Sequence, residues 1–162
     1  MVSDTGQAAV TGTDLSPRQL GRLRGSSFGM LVMLIVQFAI GIVVNLYVTV
    51  PAADQGSLLH AVGKALSDPP AALASHAGLG LLIVLVSVGL VVRAVIARHV
   101  PTIVASVIGL LAIIAAAVNG VRFVADGGPN NASLAMALST AVAMLCYAVS
   151  LFVLSGTGRP RS

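Results

Sequence analysis

The sequence predicts an all-α integral membrane protein, a four-helix bundle, and three observations carry that expectation. Four apolar stretches, roughly 27–50, 76–96, 102–124 and 133–154, fill most of the 162 residues. A hydrocarbon core of about 30 Å takes ~20 helical residues to cross, and every stretch is that long. Charged residues make up only 9% of the chain and its mean hydropathy is +1.00, whereas an average soluble domain is about 25% charged. Finally, there is no Glu, and all five Asp residues lie outside the four stretches.

The basic residues orient the spans. Arg18, Arg22 and Arg24 precede the first, Arg93 and Arg98 end the second, and Arg159 and Arg161 follow the fourth, against only Lys64 and Arg122 on the other side. Positive residues stay inside, so both termini are expected in the cytoplasm. These short juxtamembrane clusters report orientation and contact with anionic lipid, and they exclude nucleic acid as a partner. Eight Arg against one Lys, in a chain rich in Ala, Val and Gly, points to a bacterial cytoplasmic membrane. Cys146 is the sole cysteine, which excludes an intramolecular disulfide and a metal-spaced pair. The first apolar run exceeds the 7–15 residues typical of a signal peptide, so the first span is expected to remain attached.

In chain order, residues 1–25 lack an apolar period and read as a disordered basic leader, followed by the transmembrane domain 26–155 and a cytoplasmic tail 156–162. In the long outer loop, Leu58, Leu59, Val62 and Leu66 recur at helical spacing while Ser57, His60 and Lys64 point elsewhere. That pattern predicts a short interfacial helix, stopped by Pro69 and Pro70. Only a few residues around His99, Val100 and Pro101 join spans two and three, which makes those helices antiparallel neighbours. The run Asp126–Asn131 is a turn-rich second outer loop.

Small and weakly polar residues mark the faces expected to meet. They are Gln37, Gly41 and Asn45 in span one; Ala105, Gly109, Ala112, Ala116, Asn119 and Phe123 in span three; and Met136, Thr140, Ala143, Tyr147 and Ser150 in span four. Helices in lipid associate through such close-approach stripes. Depth adds a second signal. At about 1.5 Å per residue, Asn45, His76, Asn119 and Met136 fall in one outer layer, rimmed by Arg122, Asp126 and Ser133. Polar groups at that depth are costly and mark a candidate site.

His76 is the chemical centre of the layer. An imidazole can ligate a metal, and the Met136 thioether is a soft partner for heme iron. Gly80, one turn below His76, leaves room for a flat macrocycle that Phe123 and Tyr147 line. Plainer readings stand beside this one. His76 can sit at the headgroup interface behind Ser75 as N-cap, or handle protons; Met136 can simply pack. Asn45 and Asn119 can bond across helices, and Arg122 can pair with Asp126. No phosphate loop, zinc-protease helix or nucleophile elbow occurs, and no carboxylate lies within a span, so neither catalytic residues nor proton-coupled transport is expected.

His76 followed by Gly78, Leu79 and Gly80 at the start of span two, after a long outer loop, resembles one four-helix half of the heme A synthase family. The resemblance implies heme held between the helices near the outer face, with Met136 where that family's fourth helix offers a second histidine. Ala77 stands where the family has arginine, and the outer-loop Glu and Cys pair are absent, so the resemblance implies a pocket and not the synthase reaction. Asn45-Leu46-Tyr47, His76–Gly80, Asn119-Gly120 with Phe123, and Ser133 with Met136 and Tyr147 also resemble a group of uncharacterised four-span bacterial and archaeal membrane proteins.

Two functions follow as expectations. One is a heme b binding or electron-transfer module with His76 and Met136 as iron ligands, Gly80 making room, and Asn45, Asn119 and Arg122 at the propionate rim. The other is a non-catalytic accessory subunit, in a homo-oligomer or a larger membrane complex. A cavity at the His76 level favours the first; an exposed second stripe of small residues favours the other.

Overall fold

The structure, a computed structural model, describes residues 15–47 and 71–156. They form four helices: α1 (Pro17–Tyr47), α2 (Ala71–Ile96), α3 (Val100–Ala125) and α4 (Asn130–Gly156). All four are long and apolar enough to cross a membrane. The interfacial helix expected around His60 and Lys64 lies outside the described residues.

Cross-helix bonds fix the directions. Gln37 on α1 reaches His76 on α2, while Arg93 Nη1 at the other end of α2 donates to Ser26 Oγ at 2.7 Å. Likewise Ser133 Oγ donates to Asn45 Oδ1 at 3.0 Å, and Arg24 Nη2 donates to Ser155 Oγ at 3.3 Å. Both α2 and α4 therefore run antiparallel to α1. Packing follows the ring α1, α2, α3, α4 and back to α1, and the diagonal pairs make no close backbone approach.

The bundle is apolar on its outside. Leu46, Leu81, Leu85, Ile96, Leu145 and Phe152 are exposed, Phe152 to 81%, whereas Ser27, Ser87, Thr102 and Ser106 are fully buried. In water such an outer surface would drive aggregation; in lipid it is the solvent-matched face. The small-residue stripes point inward as their spacing predicts. Ala105, Gly109, Thr140, Ala143, Tyr147 and Ser150 are all buried, and Met30, Leu34, Ile83, Leu90 and Ile113 complete a core around Ala143 and Tyr147.

Helix ends differ from the expected spans, each for a local reason. α1 starts at Pro17, so residues 17–25, expected in the leader, are helical. Ser16 and Gln19 form a reciprocal cap: Gln19 N–H donates to Ser16 Oγ and Ser16 N–H to Gln19 Oε1, with Pro17 in the first turn. Leu23 then buries one turn before Ser27, continuing the inward face past the arginines. α2 already runs from Ala71, so Ser75 is inside the helix and is not its N-cap. α3 starts at Val100 and includes Pro101, whose missing N–H costs nothing in a first turn.

The turn before α3 does not leave His99 in solvent. Instead the residue caps α3, is only 8% exposed, and its Nδ1 lies 2.8 Å from Thr102 Oγ1. At the opposite end Gly127, at φ 73°, closes α3, and the N–H of Gly128 donates to the Phe123 carbonyl at 2.7 Å. This six-to-one closure needs a left-handed residue, which glycine supplies without strain.

Candidate functional site

The end of the bundle away from Arg24 and Arg93 is hollow. A cavity of about 450 Å³ lies between all four helices, lined by Leu34 to Leu46 of α1, Leu73 to Val84 of α2, Ile113 to Val124 of α3 and Ser133 to Thr140 of α4. Its volume falls in the range of small-molecule sites, about 300–1,000 Å³. The space exists because side chains on its wall are small: Gly41, Ala77, Gly80, Ala116, Gly120 and Ala137. Phe38, Ile42, Leu46 and Leu81 line it while remaining exposed, so the chamber borders the lipid-facing surface near the α1–α2 seam.

His76 and Gln37 form the polar feature of that wall. Gln37 Nε2 donates to the His76 carbonyl oxygen at 2.9 Å, which fixes which end of the carboxamide faces α2. The same nitrogen lies 3.3 Å from His76 Nε2, which therefore accepts its second hydrogen. A neutral imidazole then carries its own proton on Nδ1. That Nδ1 and Gln37 Oε1 are both buried and neither has a hydrogen-bond partner. Leaving such groups unpaired costs about 1–3 kcal/mol each, so a hydrogen-bonding or ligating partner at either atom would be stabilising.

Two glycines hold the pair in place. A Cβ on Gly41 would stand 3.0 Å from His76 Cε1, and one on Gly80 would stand 3.1 Å from Gln37 Nε2. On each helix a polar residue is followed four positions later by glycine. The antiparallel crossing lays each polar side chain over the other helix's glycine.

Of the residues expected at the site, His76, Gly80, Asn45 and Met136 all line the cavity. Met136 Sδ sits where a Cβ on Gly120 would come within 3.4 Å. Asn45 is held by Ser133, which also lines the chamber. Asn119 and Arg122 are not lining residues. Asn119 Nδ2 donates to the carbonyl of Ala115 on its own helix at 2.8 Å, and Arg122 is exposed. Phe123 lines the chamber, but Tyr147 does not; its ring packs against Gly109. Gln37, read from sequence only as one of a stripe, is the partner of His76. Its signal was present in the spacing shared by Gln37 and Gly41 with His76 and Gly80.

Tested against heme b, the chamber offers an imidazole and a thioether on facing walls and one unpartnered acceptor, Gln37 Oε1, beside the imidazole. A metal-bound histidine donates its other ring N–H to such an acceptor. In this arrangement Nε2 is engaged by Gln37, so ligation requires the carboxamide to turn, and the donor set fits on that condition. Among the described residues no cation lines the chamber, so any propionate partner would come from outside that lining.

The fold and the site define a class: a chain whose described residues are almost entirely helical, with four helices able to cross a bilayer and a largely apolar chamber near one end. It matches no protein-family model, no curated protein and no solved structure.

Proposed function

We propose that the protein is a membrane-embedded binding module whose chamber holds heme b, with His76 as the anchoring ligand and Met136 as second ligand. The observation that carries this reading is the histidine in a largely apolar chamber, with one ring nitrogen and the adjacent Gln37 oxygen buried and unpaired. When bound, the group would supply one-electron chemistry. His76 would hold it, Gln37 would orient the imidazole by accepting its remaining N–H once the carboxamide turns and gives up its bond to the His76 carbonyl, and Gly41 and Gly80 would keep both side chains in register. Asn45 would mark the rim with Ser133, while Asn119 and Arg122 drop out of the reading because neither lines the chamber. The arginine-rich end is assigned to the cytoplasm of a bacterial cell, which puts the chamber near the outer face.

The test is the visible spectrum of the protein purified in mild detergent from cells supplied with iron and heme precursor, before and after dithionite. A stoichiometric Soret band that is lost in His76→Ala and kept in His60→Ala is expected. A stable, colourless wild-type protein would overturn the heme assignment.

A second reading has an observation of its own. Gly21, Gly25 and Gly29 recur every four residues on α1, are exposed, and have open space where each Cβ would stand. Such a face lets another helix approach closely, which favours an accessory subunit or self-association. Cross-linking from a cysteine placed at Gly25 would separate this reading from an isolated bundle.

A further inference from the structure

We propose that the closed half of the bundle binds an internal water molecule on its axis, held by serine hydroxyls from all four helices. Ser27, Ser87, Ser106 and Ser150 lie one on each helix, and none is more than 1% exposed. Each occupies the axis-facing stripe of its helix: Ser27 between Leu23 and Met30, Ser87 between Ile83 and Leu90, Ser106 between Thr102 and Gly109, and Ser150 between Tyr147 and Leu154, all buried.

They also share a depth. The bonds from Ser133 to Asn45 and from Arg24 to Ser155 set the α1–α4 register and bring Ser27 level with Ser150. Tyr147 against Gly109 sets the α3–α4 register, and Ser106 and Ser150 each lie three residues further toward the arginine end. The reciprocal packing of Gln37 on Gly80 and His76 on Gly41 places Ser87 within about one helical turn of Ser27. Four buried serines thus face the axis within about one helical turn of one another, flanked along their own helices by Leu23, Met30, Leu90, Tyr147 and Leu154.

Their hydrogen bonding specifies the guest. Ser87 Oγ donates to the Val84 carbonyl and Ser106 Oγ to the Thr102 carbonyl, both at 2.7 Å. With their protons spent, these two hydroxyls offer only lone pairs. Ser27 Oγ and Ser150 Oγ have no partner at all, although a helical serine ordinarily bonds back to its own turn. The layer therefore presents two acceptors and two free O–H donors. That is the complement of one water molecule, which brings two O–H donors and two lone pairs and typically makes two to four bonds when buried. A cation fits worse. It needs every oxygen as an acceptor and a compensating charge, and Asp126, the sole acidic residue among those described, lies beyond the opposite end of α3. Such a water ties together diagonal helices whose backbones make no close approach. Tyr147 Oη, also buried and unpartnered, offers a further hydroxyl one turn toward the chamber.

The test is a double-mutant cycle on the full chain in detergent, with unfolding followed in sodium dodecyl sulfate. Ser27 and Ser106 belong to diagonal helices that make no backbone approach, so a shared water is what couples them. The unfolding constant of Ser27→Ala/Ser106→Ala is expected to differ at least threefold from the product of the single effects. Additive effects would overturn the proposal. A high-resolution structure of the wild-type chain provides a check that needs no variant. Ordered density within hydrogen-bond distance of the four Oγ atoms is expected. Ser27 and Ser150 found bonded to each other, or back to the carbonyls of Leu23 and Cys146, would overturn it, as would a stability that rises with sodium but not with potassium.

Discussion

The half of the bundle beside the arginines and the half beside His76 are built from the same four continuous helices, yet one is filled and the other hollow. Toward the arginines the axis carries Leu23, Met30, Leu90, Tyr147 and Leu154, all at most 2% exposed. Toward His76 the facing positions are Gly41, Ala77, Gly80, Ala116, Gly120 and Ala137, and a cavity of about 450 Å³ results. No change of backbone is needed, because side-chain volume on the axis decides whether a stretch of bundle is a core or a chamber. Polar groups divide along the same line. The filled half buries serine and threonine hydroxyls, whereas the hollow half adds to such hydroxyls a buried imidazole and the carboxamide beside it.

The sharpest way to break this contrast is to delete volume from each half. Tyr147→Ala is expected to cost about 2–3 kcal/mol of bundle stability, from a lost-volume term of ~24 cal/mol per Å³ alone, because the released ring passes into lipid and loses no transfer energy. Met136→Ala, whose side chain already borders empty space, is expected to cost less than about 1 kcal/mol. Unfolding in mixed micelles measures both, and equal losses would refute a filled and a hollow half.

Adding volume probes the hollow half from the other side. Gly41→Val would drive a branched side chain into the His76 ring, whose Cε1 already lies 3.0 Å from a Cβ at that position. Heme retention is expected to fall about tenfold, roughly 1.4 kcal/mol, with the fold intact by circular dichroism. Gly25→Val, in open space, is expected to leave retention unchanged.

Smaller effects sharpen the ends. Asn45→Ala removes the bond from Ser133 at the mouth of the chamber and is expected to cost ~0.6 kcal/mol, the average of measured interhelical bonds in lipid, in the same unfolding assay. At the other end burial holds the His99 imidazole below its ordinary value near 6.5. The unfolded chain therefore takes up the proton first. Stability is expected to be constant above pH 6.5 and to decline as pH falls from there through the lowered folded-state value. A unfolding titration between pH 7.5 and 5 measures this, and His99→Gln should flatten it.

The site was partly legible in advance. His76, Asn45 and Met136 were placed at one depth by residue count and Gly80 one turn below it, and all four line the chamber. Asn119 was placed in the same layer and Arg122 at its rim, yet neither lines the chamber, because depth says nothing of azimuth, and Asn119 finds its partner in the Ala115 carbonyl. Gln37 was passed over as a packing residue since its role depends on which helix lies opposite. The start of α1 was missed because apolarity stops at Arg24, whereas the helix continues to a cap formed by Ser16 and Gln19.

By itself the sequence determined four helices of membrane-crossing length, their alternating direction across the short turns, and the small-residue faces along which they meet. Length and hydropathy are local properties, and position along a helix converts to depth at a constant rise per residue. Only the tertiary structure decided that Gln37 lies over Gly80, that His99 folds onto Thr102, that Tyr147 fills one half while the other stays open, and that four buried serines face the axis within about one helical turn of one another. Those outcomes depend on the rotation and register of helices distant in sequence, which are set by the packing of all four together.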